Sequence, residues 1–262
     1  MSKVLKYIKI WWLMSKNAFI SILYTKLTLV VFLLAKIIRF SFFIAFLYFL
    51  LKGTNSLAGY NLNQTLFFFL TFTVVDTISQ FLFREVYRFR PQIVSGSFDL
   101  VLSKPFNALF RSLLGGADVI DLITIPPLIY ALVYVGALLQ PNFIQVVIYI
   151  ALLLNGLLIS TAFHIAVLAM AILTLEIDHT IMIYRDVISL GRFPVDIYKE
   201  PLKGILTYLI PVGLMVTLPA KFLIGMVTIQ GALLSFLLCF VFLFASVSLW
   251  NSALRYYTSA SS

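Results

Sequence analysis

From Phe143 to Leu175 the chain runs for 33 residues without a formal charge. A helix built from that run would rise about 50 Å, whereas a hydrocarbon core is about 30 Å thick. Such a segment has to cross a membrane and then tilt or protrude beyond it. Four shorter apolar runs accompany it, at about Leu27–Leu51, Leu62–Phe83, Ala117–Leu139 and Val227–Trp250. With 62% hydrophobic residues, 11% charged residues and a mean hydropathy of +1.05, no single water-soluble core can hide these side chains, so lipid must cover them. Twenty-five Phe and 13 Tyr against 12 Gly favour lipid-facing helices over the alternating strands of a barrel. The expected class is all-α and polytopic.

Charge orients these spans. The formal net charge of +9 would suggest a nucleic-acid partner in a soluble protein, but here the basic residues flank membrane segments, and the contact they predict is with anionic lipid. Residues 1–26 carry Lys3, Lys6, Lys9, Lys16 and Lys26, no acids, and apolar residues between them. They read as an amphipathic helix lying in the interface; the alternative, a signal peptide, lacks a small-residue cleavage site. Residues 84–116 carry Arg84, Arg88, Arg90, Lys104 and Arg111 against only Glu85 and Asp99. An even number of spans separates the two basic segments, which places both, and both termini, on the cytoplasmic side of a cell membrane.

Between residues 176 and 221 hydropathy allows two readings. Either 204–220 is the fifth span, or 178–193 is a short amphipathic fifth span and 194–221 a broken hairpin dipping in from the outer face. Both give six spans in a single domain over 27–262, and the side on which Arg192–Glu200 emerges separates them. In the second reading Ile177, Ile181, Tyr184 and Ile188 form one stripe, with Asp178 and Arg185 on another. In the third span Pro126-Pro127 should kink or locally unwind the helix.

Motifs for covalent chemistry are missing from the sequence. There is no GxxxxGK[ST] run to cradle phosphates, so ATP, if used, belongs to another chain. His164 and His179 with the lone Cys239 make no metal-ligand pattern, and no cofactor is expected. Ser160 and His164 lie one turn apart, the minimum for an intramembrane serine nucleophile, and the same spacing suits ordinary helix-bridging bonds. Ionisable residues inside spans say more, because each needs a partner or water. Lys36 and Arg39 share a face of the first span, Asp76 lies deep in the second, and Asp118 and Asp121 lie near the cytoplasmic end of the third. They are candidates for intramembrane ion pairs or for a translocation path.

The most specific local pattern lies in the loop, where Gly96-Ser97-Phe98-Asp99 leads to Leu102-Ser103-Lys104-Pro105. Ser97 is placed to cap a short helix that Pro105 stops, with Phe98 and Leu102 on one side as a handle for a soluble partner. With Gly59-Tyr60-Asn61 before the second span, and Phe193-Pro194, Ile197-Tyr198, Pro201-Leu202, Pro211 and Pro219-Ala220 later, this order of motifs resembles the ABC-2 type exporter permeases. Glu176, Asp178 and His179 depart from that pattern.

The resemblance implies a six-helix permease with an N-terminal interfacial helix, a coupling helix from Ser97 to Ser103 and a broken outer hairpin after the fifth span. Its implied partners are a second permease chain and two copies of a separate ATPase docked beneath the pair. Gly96, Ser97, Phe98, Asp99, Leu102, Lys104 and Pro105 are then the coupling residues; Phe193, Pro194, Pro201, Pro211 and Pro219 shape the hairpin. The rival class is an ion-coupled secondary transporter or channel using Asp76, Asp118 and Asp121, which should have two related halves. A scaffold without transport is a third.

Overall fold

The computed structural model describes residues 3–24, 26–174 and 177–258, with the backbone alone at 3 and 177–181. Glu176 lies outside the described residues, as do the side chains of Asp178, His179, Ile177 and Ile181 and the stripes expected through them. Among the described residues no strand forms beyond a single bridge between Leu57 and Tyr60.

The helices, in chain order, are α1 (Lys3–Leu23), α2 (Lys26–Thr54), α3 (Leu62–Phe83), α4 (Phe89–Val94), α5 (Ser97–Leu102), α6 (Ala108–Leu113), α7 (Val119–Leu138), α8 (Phe143–Thr174), α9 (Ile177–Ser189), α10 (Leu202–Gly204), α11 (Leu218–Leu223) and α12 (Ile229–Arg255). Among the described residues five helical segments are long and apolar enough to cross a membrane, and a sixth is reached if the bent pair Leu202–Leu209 and Gly213–Leu223 counts as one span. The protein is an all-α, multi-pass membrane protein. Its lipid-facing residues are visible as large exposed apolar side chains, such as Phe42 and Phe49 on α2 and Phe240 and Phe244 on α12, which no water-soluble surface would tolerate in such number.

Local chemistry fixes where the helices start. Asn61 and Gln64 exchange side-chain-to-backbone bonds of 3.0 Å at the start of α3, and Asn142 and Gln145 exchange theirs, at 2.7 and 2.9 Å, before α8. Asp118 and Thr228 accept first-turn N–H groups of α7 and α12. Of the two outcomes expected at Pro126-Pro127, local unwinding does not occur: α7 stays helical across both prolines. Unwinding would free further N–H and C=O groups that find no water within a bilayer, and packing against α3, where Gly136 meets the Phe67 ring, holds the helix together.

Buried polar bonds tie the long helices. The Asn155 amide on α8 donates to Ser235 Oγ on α12 at 2.8 Å, Thr71 on α3 bonds Tyr149 on α8 at 3.0 Å, and Ser160 on α8 donates to Ser79 on α3 at 2.8 Å. The bundle therefore has two distinguishable ends. The 84–116 loop marks one, and α1 packs along it: Ser15 accepts from the Ala117 N–H, Tyr7 from the Asn107 N–H, and Trp11 meets Phe81 edge-on. Tyr60 marks the other.

Helix α9 starts where α8 ends, at the loop end, and the chain beyond it reaches Asp196, which accepts a 2.8 Å bond from the Tyr60 hydroxyl. Residues around Asp196 therefore sit at the Tyr60 end. Lys203 and Lys221, on the two limbs of the bent pair, both reach this carboxylate, at 3.0 and 2.6 Å. Between them the pair bends by 74°. Val212, Met215 and Val216 are buried against Phe72, Val75 and Ile159 in the interior, while Lys203 and Lys221 bring both limbs to Asp196. Gly156 makes room for it, since a Cβ there would lie 2.5 Å from the Met215 carbonyl oxygen.

Candidate functional site

At the loop end the short helices α4 and α5 meet at Gly96, whose φ of 72° is open to glycine at little cost and lets the chain reverse direction. Ser97 does not cap α5 as its position suggested. It is the first helical residue, its hydroxyl bonding Ser95 Oγ at 2.9 Å and the Gln92 carbonyl at 3.3 Å, because Gly96 occupies the cap. Phe98 and Leu102 also part company. Phe98 is fully buried, edge-on to Phe89 at 5.0 Å and to Tyr257 at 5.2 Å, and beside Trp250. Leu100 (64% exposed), Leu102 (40%) and Val94 (62%) face outward. Asp99 accepts from the Tyr257 hydroxyl at 2.9 Å; burial first, and then the carboxylate, push that hydroxyl's pKa up to about 12. Tyr257 and Trp250 belong to the C-terminal end of α12 and its extension, so α5 is bolted to a spanning helix.

Beneath α5 the buried Glu85 carboxylate gathers Arg111 at 2.8 Å, Gln92 at 2.8 Å and Arg88 at 3.9 Å. Pro105 stands in the turn after α5, its carbonyl accepting from Lys6 of α1 at 3.4 Å, and Lys104 is exposed beside it. The loop is thus a braced platform whose outer face offers Val94, Leu100 and Leu102 among the exposed Arg88, Arg90 and Lys104.

Inside the spans, Lys36 pairs with Asp121, joining α2 to α7, and Arg84 Nε reaches Asp118 at 3.4 Å. Asp76 accepts from Gln80 one turn on, at 2.8 Å, and is surrounded electrostatically by Arg185, Arg39 and Arg192. Ser160 and His164 are not arranged for nucleophilic chemistry. His164 Nδ1 sits 2.8 Å from the Ser160 carbonyl, a contact only an N–H can make, and so cannot take the Ser160 proton there.

Phe193 packs against Phe43 at 5.6 Å; beyond it, at the Tyr60 end, Pro194 and Pro201 bracket the Asp196 turn, while Pro211 stands at the bend in the interior and Pro219 in the first turn of α11. Burial would push the Asp196 carboxyl up, but the bonds from Lys221, Lys203 and Tyr60 outweigh it and hold it below the ordinary value.

Residues 35–261 match the family described as ABC-2 family transporter protein. The chain belongs to the ABC-2 transporter family. This permease is therefore the membrane component of an ABC transporter, and family membership implies association with an ABC ATPase. No curated protein and no solved structure matches the chain.

Sequence reasoning missed several residues that organise the permease. Asp196 clamps the bent pair, and its signal was an acid two residues after Pro194, within a segment that Pro194 and Pro201 bracket. Glu85 was read only as a counter-charge in a basic loop, although Arg88 one turn on hinted at a pair. Tyr257 as the partner of Asp99, and Arg192 beside Asp76, had no sequence signal, since 158 residues separate the first pair and the second meets through the fold.

Proposed function

We propose that the chain is the permease of an ATP-driven exporter, that it pairs with a second permease chain in the cytoplasmic membrane with its loop end facing the cytoplasm, and that two ATPase subunits dock beneath the pair. The loop-end platform receives the ATPase, α9 supplies the sixth crossing, and the bent pair is a hairpin entering from the outer face. The single observation that carries this reading is the division of labour on α5. Its outer side offers Leu100 and Leu102 to a partner, while Phe98 and Asp99 fasten the same helix to α12. A push received outside is thereby delivered to the spans.

The excess of Lys and Arg at this end supports its cytoplasmic placement. An ion-coupled mechanism is disfavoured because two of its three carboxylates, Asp118 and Asp121, already have basic partners at the same end of α7. In the purified complex with its ATPase, Leu100→Asp combined with Leu102→Asp should leave the permease folded and abolish its effect on ATP hydrolysis. An unaltered effect in that double variant would remove α5 from the coupling contact.

A further inference from the structure

Between α2, α3 and α7 lies a cavity of about 320 Å³, which reaches across to Arg192 beyond the end of α9. Its polar wall holds Arg39, Arg192, Asp76 and Lys36, and its apolar wall is aromatic, led by Phe43 and Phe72. Lys36 is neutralised by Asp121. Among the described residues neither Arg39 nor Arg192 has a carboxylate within 4.0 Å, and Arg185 adds its charge from the small void that adjoins on the other side of Asp76. Three arginines thus face one carboxylate, and Asp76 spends a hydrogen bond on Gln80. The Arg192 guanidinium stands 6.0 Å from the ring centres of both Phe43 and Phe72, a placement that holds its charge in the cavity.

Surplus cations at membrane depth are costly, and an anion supplied from outside is what balances them. The size of the space narrows the anion. Its volume is at the lower end for ligand pockets, enough for a headgroup and far too little for acyl chains as well. The way in is beside α2, whose most apolar stretch has no buried residue and whose Ile37, on the cavity rim, is 58% exposed. Depth follows from the Lys36–Asp121 pair, which sets this stretch of α2 level with the first turn of α7, in the leaflet nearer the loop.

We propose that this cavity binds the headgroup of an anionic amphiphile, a phosphate or carboxylate carried on acyl chains that remain in the loop-end leaflet. The inference deepens the exporter reading by naming a substrate class, and rests on it only for the step from binding to transport. Guanidinium forks from Arg39 and Arg192 grip the head, Phe43 and Phe72 cover its apolar neck, and α2 is the rim over which the chains hang.

The test needs no ATPase. The purified full-length chain is exchanged into mixed micelles containing equal phosphatidylglycerol and phosphatidylcholine, and retained lipid is read by native mass spectrometry. Wild-type protein should retain phosphatidylglycerol about tenfold over phosphatidylcholine, and Arg39→Gln with Arg192→Gln should bring the ratio close to one. Equal retention of the two lipids by wild-type protein overturns the proposal without recourse to any variant. So does a monodisperse double variant that keeps its preference, or displacement of the lipid by equimolar inorganic phosphate, which would assign the site to a free anion. Failure here leaves coupling through Leu100 and Leu102 standing, and failure there leaves this binding result intact.

Discussion

Asp196 concentrates more of the tertiary structure on one side chain than any residue that the sequence singled out. It holds Tyr60, Lys203 and Lys221 together, and thereby ties the α2–α3 turn to both limbs of the bent pair. Its lowered pKa means that the folded state binds its proton less readily than the unfolded chain. The clamp's contribution is therefore complete above the ordinary carboxyl value of 3.8 and is lost as pH falls through the depressed folded value. Thermal unfolding in detergent should accordingly show Asp196→Asn less stable by about 1–3 kcal/mol at neutral pH, with the gap to wild type closing in strong acid. A gap that persists unchanged below the carboxyl range would disprove the charged clamp. At the loop end Phe98→Ala should cost about 3–5 kcal/mol, far more than Leu102→Ala, because only Phe98 is enclosed. Both residues stood out in the sequence, yet helical spacing put them on one side; a helix of barely two turns, capped by Gly96, sits at an angle that only its neighbours determine.

Among the elements, the five long apolar helices were legible because a bilayer demands length and hydrophobicity and little else. Helix α9 was not. Its 13 residues rise only about 20 Å and include Arg185 and Asp186, so hydropathy alone cannot distinguish it from a surface helix. The proposal that α9 crosses draws its support from the Tyr60–Asp196 bond, a contact across 136 residues that no local pattern encodes. The bent pair depends on equally remote complementarity, with Gly156 of α8 admitting the Met215 backbone. Gly156→Ala should push the bent pair off α8 and cost about 1–3 kcal/mol, visible as a lower midpoint of thermal unfolding. An alanine variant as stable as wild type would mean that the close approach is not needed.

For the molecule as a whole, the decisive prediction concerns energy supply. Reconstituted alone in liposomes, the chain should move no solute down an ion gradient, and accumulation of a solute under that condition would return the ion-coupled reading to first place. The sequence by itself determined that this protein lives in a membrane, that its basic loop and α1 share one end, and that its motifs follow the order of ABC-2 permeases, since composition, charge placement and turn residues are local properties. The tertiary structure decided which charges meet, which face of α5 looks outward, and where Arg39 and Arg192 leave positive charge that no carboxylate among the described residues pairs. Those outcomes depend on helices tens to more than a hundred residues apart being packed side by side, and on the high cost of an unmatched ion in lipid, which makes every such pairing a three-dimensional choice.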